Sequence, residues 1–155
     1  MTKAIIVRTN GEIVPLELQD EKAYLAINDA VGGTIDAVSD GELCCYVHDE
    51  GLLLGLPVNA IVSVIFKRPL VGDAVLVGAL NEEGEYDGEN HDVPYYYRTN
   101  VFAENAVKAA NLPQLLERIQ QAAQEVLDVG TYFQPLTDKE FDKWLESGEL
   151  PAPSI

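Results

Sequence analysis

Positive charge is the scarcest resource of this chain. Its 155 residues carry 10 Lys and Arg against 26 Asp and Glu, a formal charge of −16. Between Val31 and Asn59 there is no Lys or Arg, and of the ten cations only Lys67 and Arg68 are adjacent. A surface of that sign repels nucleic acid, phosphate groups and anionic membrane, and it attracts basic partners. The expectation is therefore a protein with a basic surface as partner, with no direct nucleic acid and no membrane. A homo-oligomer is compatible with the sequence.

Long apolar runs are missing as well. The longest, Gly51 to Phe66, is interrupted by Gly55, Pro57, Asn59 and Ser63 and is too short to cross a bilayer. Only Ala4, Ile5, Ile6 and Val7 precede Arg8 at the N-terminus, less than the apolar core of a secretory signal. The expected location is cytoplasmic.

The two cysteines are neighbours, Cys44 and Cys45, inside a strand-like run. Successive strand residues point to opposite faces, so a bond between them would be strained, and no Cys-x-x-Cys spacing exists for zinc or a dithiol. Both read as packing thiols. His48 and His91 lack a partner at metal-ligand spacing, and no Gly-x-Ser-x-Gly or reactive-Cys context surrounds them. No catalytic residue, metal ligand or cofactor is expected, and the chain reads as a non-enzyme.

What the chain does have is enough apolar matter for a core, 47% of its residues, with patterns of both periods. Ala4–Arg8 and Glu12–Leu18 flank Thr9-Asn10-Gly11, which predicts a hairpin with a type I′ turn. In that hairpin Val14, Leu16 and Leu18 would face the core, with Ile13, Pro15 and Glu17 outward. Asp20 then caps a helix carrying Ala23, Tyr24, Ile27, Ala30 and Val31, ended by Gly32-Gly33 in left-handed geometry. Thr34–Val38 and Leu43–His48 form a second hairpin around Asp40-Gly41, with Leu43, Cys45 and Val47 on one face and Cys44, Tyr46 and His48 on the other. Leu52–Phe66 stays open between strand, a short helix after Pro57, and another strand. Ala74–Leu80 reads as a buried strand, and Val93–Asn100 as the strand that returns beside it.

The last third is helical in pattern. Pro113–Asp128 has Leu115, Leu116, Ile119, Val126 and Leu127 on one face, and Thr137-Asp138-Lys139-Glu140 spells a capping box for a helix ending at Gly148. The fold class expected is α+β: antiparallel hairpins forming a mixed sheet, one early helix, and two C-terminal helices packed against it. Residues 1–100 make the core domain with an acidic loop at 81–92, residues 101–148 a helical extension, and 149–155 a flexible tail.

The acidic loop, Asn81 to Asp92, holds six carboxylates and no cation. As a calcium loop it fails, because Gly84 and Gly88 stand at the wrong places and no acid closes it at the required spacing. If extended, it would set Glu83, Glu85, Asp87 and Glu89 along one edge about 6.6 Å apart, twice the strand rise and close to a phosphate ladder. A solvated hairpin tip is the plainer alternative. Tyr95-Tyr96-Tyr97 follows at once and suits either a recognition surface or sheet packing.

Gln19–Val38 with Val31-Gly32-Gly33-Thr34-Ile35-Asp36, then Val47-His48-Asp49-Glu50-Gly51, then Gly55-Leu56-Pro57-Val58-Asn59-Ala60, then Val71-Gly72-Asp73 running into Ala74–Gly78, resembles a small domain family of unknown function. That family is met in phages and mobile elements, sometimes near antirestriction genes, and the resemblance covers about the first 80 residues. It implies no catalytic residue. Physically the shared residues read as scaffold: Gly33 leads from helix to strand, Pro57 and Asn59 set a turn or helix start, and Gly72-Asp73 bends the chain before a central strand.

Charge and resemblance together point to an accessory protein of host takeover or anti-defence that binds a basic DNA-handling host protein, in the manner of a DNA mimic. Glu82, Glu83, Glu85, Asp87, Glu89 and Asp92 would supply charge, with Tyr86, Tyr95 and Tyr97 as anchors. The alternative is a small-ligand module sequestering a signalling nucleotide near the Gly-rich turns and Leu56–Asn59. A pocket lined by Lys67, Arg68 or Arg98 would favour that alternative, and a flat surface would argue against it.

Overall fold

Val7 stands opposite Ile13, and the residues between them show how the first hairpin closes. Gly11 N–H donates to the Arg8 carbonyl and Arg8 N–H to the Glu12 carbonyl, both at 2.9 Å. Asn10 Oδ1 accepts from Glu12 N–H at 2.9 Å. Gly11 has φ +87°, whereas Asn10 is not left-handed. The expected type I′ turn is thus replaced by a longer loop with glycine at its single left-handed position, the other common way to join two twisted strands.

The protein is described by a computed structural model that covers residues 2–40, 43–78 and 91–110, with the single positions Glu117 and Gln121. In chain order the elements are β1 (Thr2–Val7), β2 (Ile13–Leu18), a 3-10 turn (Asp20–Lys22), α1 (Ala23–Val31), β3 (Ile35–Asp40), β4 (Leu43–His48), α2 (Ala60–Phe66), β5 (Ala74–Gly78), a second 3-10 turn (Tyr95–Arg98) and α3 (Asn100–Ala110). Among the described residues the strands form one antiparallel sheet in the order β2-β1-β5-β4-β3, with helices on it, an α+β fold.

Both faces of the sheet are covered. On one, Ile5, Val7, Leu43, Cys45, Val47 and Leu76 meet α2 and the Phe102 and Ala106 side chains of α3. On the other, Ala4, Ile6, Leu18, Cys44, Tyr46, Val75 and Val77 meet Ala23, Ile27 and Val31 of α1. The alternation expected for β4 is observed. That expected for β2 holds at Val14 and Leu16, which pack under α1, and at Pro15 and Glu17, which are exposed; Ile13 departs from it, half-buried against the opposite cluster. Burying Val75, Leu76 and Val77 at the centre contributes about 1.5–3 kcal/mol each.

Two local expectations change. Asp20 does not cap a helix; Lys22 N–H closes a 3-10 turn onto the Gln19 carbonyl at 2.9 Å, and α1 starts only at Ala23, with no capping side chain. Gly32 does end α1 at φ +84°, its N–H on the Asn28 carbonyl at 2.9 Å. Val93–Asn100 is not a strand. β5 is bonded to β1 over Ala74–Leu76 on one side and to β4 over Val75–Gly78 on the other, so the returning chain reaches only its end at Gly78, and after Pro94 it coils into a 3-10 turn instead.

The open segment resolves into α2. Asn59 caps it, its Oδ1 accepting from Val62 N–H at 3.4 Å, while its Nδ2 donates to the Val7 carbonyl at 2.8 Å and the Gly72 carbonyl at 3.0 Å. Ser63 Oγ lies 2.7 Å from the Asn59 carbonyl and accepts from Leu70 N–H at 2.9 Å. These two buried side chains tie α2 to the end of β1 and to the chain entering β5. Glu117 and Gln121 are helical; otherwise the expected helices at Pro113–Asp128 and Thr137–Gly148, the tail, and the turn at Gly41 lie outside the described residues.

Candidate functional site

β1 and β5 pair from Val7–Ala74 to Ile5–Leu76, and beyond that point residues 91–93 enter between them. Gly78 N–H donates to the His91 carbonyl at 2.6 Å, and Val93 N–H to the Lys3 carbonyl at 2.9 Å. Lys3 N–H donates to Asp92 Oδ1 at 2.8 Å. Gly78 permits this approach, since a Cβ there would collide with the Asp92 carbonyl oxygen.

From this wedge Pro94 leads into Tyr95–Arg98. Tyr96 and Tyr97 turn inward, their rings edge-on to Phe102 at 5.8 and 4.9 Å. Tyr95 turns outward, 73% exposed, with the Arg98 guanidinium 5.3 Å from its ring centroid. Thr99 starts α3: its Oγ1 accepts from Phe102 N–H at 3.2 Å and donates to the Tyr96 carbonyl at 2.7 Å. Of the nine residues expected to contact a partner, Asp92, Tyr95 and Tyr97 are therefore brought together on one short stretch. Asp92 is engaged by a backbone amide and Tyr97 by the core, so Tyr95 is the one presented. Glu82, Glu83, Glu85, Tyr86, Asp87 and Glu89 lie outside the described residues.

The same stretch forms one wall of a cavity of about 320 Å³. Its floor is a cross-strand ladder in which Lys3 faces Glu17 and Ile5 faces Pro15, with Ile13 next along. Its wall is Arg98, Thr99, Asn100 and Ala103. The face of β2 that sequence alone places in solvent is this floor. A second cavity, about 230 Å³, lies between His48–Leu53 and Arg68–Val71, with Asp36, Asp49 and Glu50 outnumbering Arg68. Arg98 and Arg68 thus each line a cavity, and Lys67, at φ +55° at the end of α2, lines neither. Lys3, Glu17, Thr99 and Asn100 were not singled out from sequence. Only the Lys3–Glu17 register of the first hairpin could have pointed to two of them.

The thiols and His48 are held in place by packing. Burial pushes the Cys45 thiol well above its ordinary value, with the neighbouring Cys44 adding to the effect, and burial also raises Cys44. Burial first, then Cys44 and Tyr24, push the Tyr46 hydroxyl up. For the two thiols this direction is opposite to the lowered value that a nucleophilic thiol needs. His48 Nδ1 accepts from Glu50 N–H at 3.1 Å, and a Cβ on Gly33 would lie 2.5 Å from its Nε2, so the imidazole is wedged between loop and helix cap. Among the described residues no group of three His, Cys, Asp or Glu side chains is arranged to hold a metal ion, and no helix is long and apolar enough to cross a membrane.

Comparison with curated proteins and with solved structures finds no significant match. A family model does match, over residues 1–100, a wider span than the first 80 residues that carry the motif resemblance. The match takes in every strand of the sheet, α1, α2 and the Tyr95–Arg98 turn, and it ends where α3 begins. The chain therefore belongs to the DUF3846 family, a domain of unknown function.

Proposed function

We propose that this protein is a non-enzymatic accessory factor of a phage or mobile element that binds a basic, DNA-handling host protein through its acidic surface. The observation that carries the reading is the 2.6 Å hydrogen bond from Gly78 to His91. It brings together, at one end of the sheet, the two residues that flank the twelve-residue segment 79–90. In sequence, five carboxylates from Glu82 to Glu89 lie between these two residues, and Asp92 follows directly. A basic groove would exchange counterions for such a cluster as it does for phosphates. Tyr95, three residues after Asp92 and exposed, would serve as an aromatic anchor.

A pull-down from bacterial lysate tests this, comparing the native chain with a variant in which Glu82, Glu83, Glu85, Asp87 and Glu89 become Gln or Asn. The expected result is one basic DNA-handling protein, released by salt and absent with the variant. Undiminished capture by the variant sinks the reading.

A second reading is favoured by the cavity beside Arg98. A volume of about 320 Å³ is at the lower end of small-molecule sites, and its lining combines apolar residues with Lys3, Glu17, Arg98, Thr99 and Asn100. In this reading the domain sequesters a small ligand. A molecule released on denaturing the purified protein and identified by mass spectrometry supports it.

A further inference from the structure

We propose that the cavity between β1–β2 and the Arg98–Ala103 segment binds a small amphipathic monoanion, a carboxylate on an aliphatic body, with Lys3 and Arg98 holding the carboxylate. The inference rests on the second reading above and narrows its ligand. Lys3, Arg98 and Glu17 give the cavity lining a charge of +1 inside a chain of −16, with the Asp92 carboxylate held on the Lys3 amide outside the lining. Among the described residues neither Lys3 nor Arg98 is in an ion pair; Arg98 instead lies over Tyr95. The protein's wider negative field is damped beyond about 8 Å at physiological salt, so a bound anion is governed by these near groups. A single negative charge balances the lining, whereas a dianion would leave one charge facing Glu17.

The rest of the lining sets the body of the ligand. Along β2 the floor runs from Glu17 through Pro15 to Ile13, charged at one end and apolar at the other, about 13 Å at 3.3 Å per residue. Ala103 forms the facing wall. The volume equals that of roughly ten water molecules at about 30 Å³ each. No aromatic side chain lines it, so a nucleobase would find no stacking face there. This separates the inference from the nucleotide expected on sequence grounds.

The test is titration of the full native chain, followed by calorimetry and by backbone amide shifts, with octanoate, acetate, octanol and AMP as probes. Octanoate is expected to bind and to shift the amides of Ile5, Glu17 and Asn100, with acetate and octanol weaker by about tenfold or more. Lys3→Met and Arg98→Met should each weaken octanoate by about tenfold, the loss of one charge-assisted contact. Ala103→Trp should fill the cavity and abolish binding while the far-UV spectrum and melting temperature stay near native. Octanoate binding that none of these variants changes overturns the proposal, because the site is then elsewhere. AMP shifting the cavity amides while octanoate does not overturns the ligand class but keeps the small-ligand reading. If no probe shifts them and no small molecule leaves the denatured protein, both fall.

Discussion

Gly78 and His91, thirteen positions apart, are joined amide to carbonyl at 2.6 Å, and the glycine has the Asp92 carbonyl oxygen where its side chain would be. The contact ends the β1–β5 ladder, seats Asp92 on the Lys3 amide and determines where the acidic segment leaves and rejoins the sheet. Fold and charge presentation meet at this one point.

Gly78→Ala is therefore expected to destabilise the protein by about 1–3 kcal/mol, the cost of forcing extra volume against backbone that is itself hydrogen-bonded. Chemical denaturation measures it. Because the methyl pushes residues 91–93 away from β1, the Lys3 and Val93 amides should lose protection from hydrogen exchange before those of Val75 and Leu76. Uniform loss across the sheet would contradict this account of the wedge.

Asn59 and Ser63 form one buried unit, and substitutions there should not add. Asn59→Ala leaves the Val7 and Gly72 carbonyls without that donor and uncaps α2, an expected cost of about 3 kcal/mol. Ser63→Ala leaves the Leu70 amide without its acceptor, about 1–2 kcal/mol. Since the hydroxyl also bonds the Asn59 carbonyl, the double variant should cost less than the sum by about 1 kcal/mol. Strict additivity in a double-mutant cycle would show that the two act separately.

How much of this was legible beforehand follows from which signals are local. The Gly32 cap, the β3–β4 hairpin and the two-faced β4 depend on residues within a few positions of each other, and periodicity exposes them. Asn59 was visible as a helix start, but its bonds to Val7 and Gly72 span 52 and 13 positions and exist only in the folded sheet. The failed strand at Val93–Asn100 has the same origin: nothing in that stretch says that β5 has a neighbour on each side. Ile13, Pro15 and Glu17 looked outward because a hairpin alone has one buried face; Pro15 and Glu17 are exposed, but residues 98–103 come up beside that face and Ile13 is half-buried. Lys3 and Arg98, 95 positions apart, line one cavity for that reason alone.

Alkaline pH should unfold this protein through its buried thiols. Cys45 and Cys44 ionise in the folded state only above their ordinary value of 9.0, whereas in the unfolded chain they ionise near it. Above pH 9 the unfolded state thus holds fewer protons than the folded one, so stability falls as pH rises, and below pH 9 both states are protonated and the dependence vanishes. Each fully buried thiol contributes a slope of about 1.4 kcal/mol per pH unit in that window. Tyr46, also raised, joins from its ordinary value of 10.0 upward. Denaturation midpoints at pH 7, 8, 9 and 10 should be flat at first and then drop. Cys45→Ala should start lower at pH 7, from lost packing, and yet fall less steeply above pH 9. Equal slopes for the two proteins would show that the Cys45 thiol reaches solvent in the folded state, and a thiol reagent that labels it without denaturant would say the same.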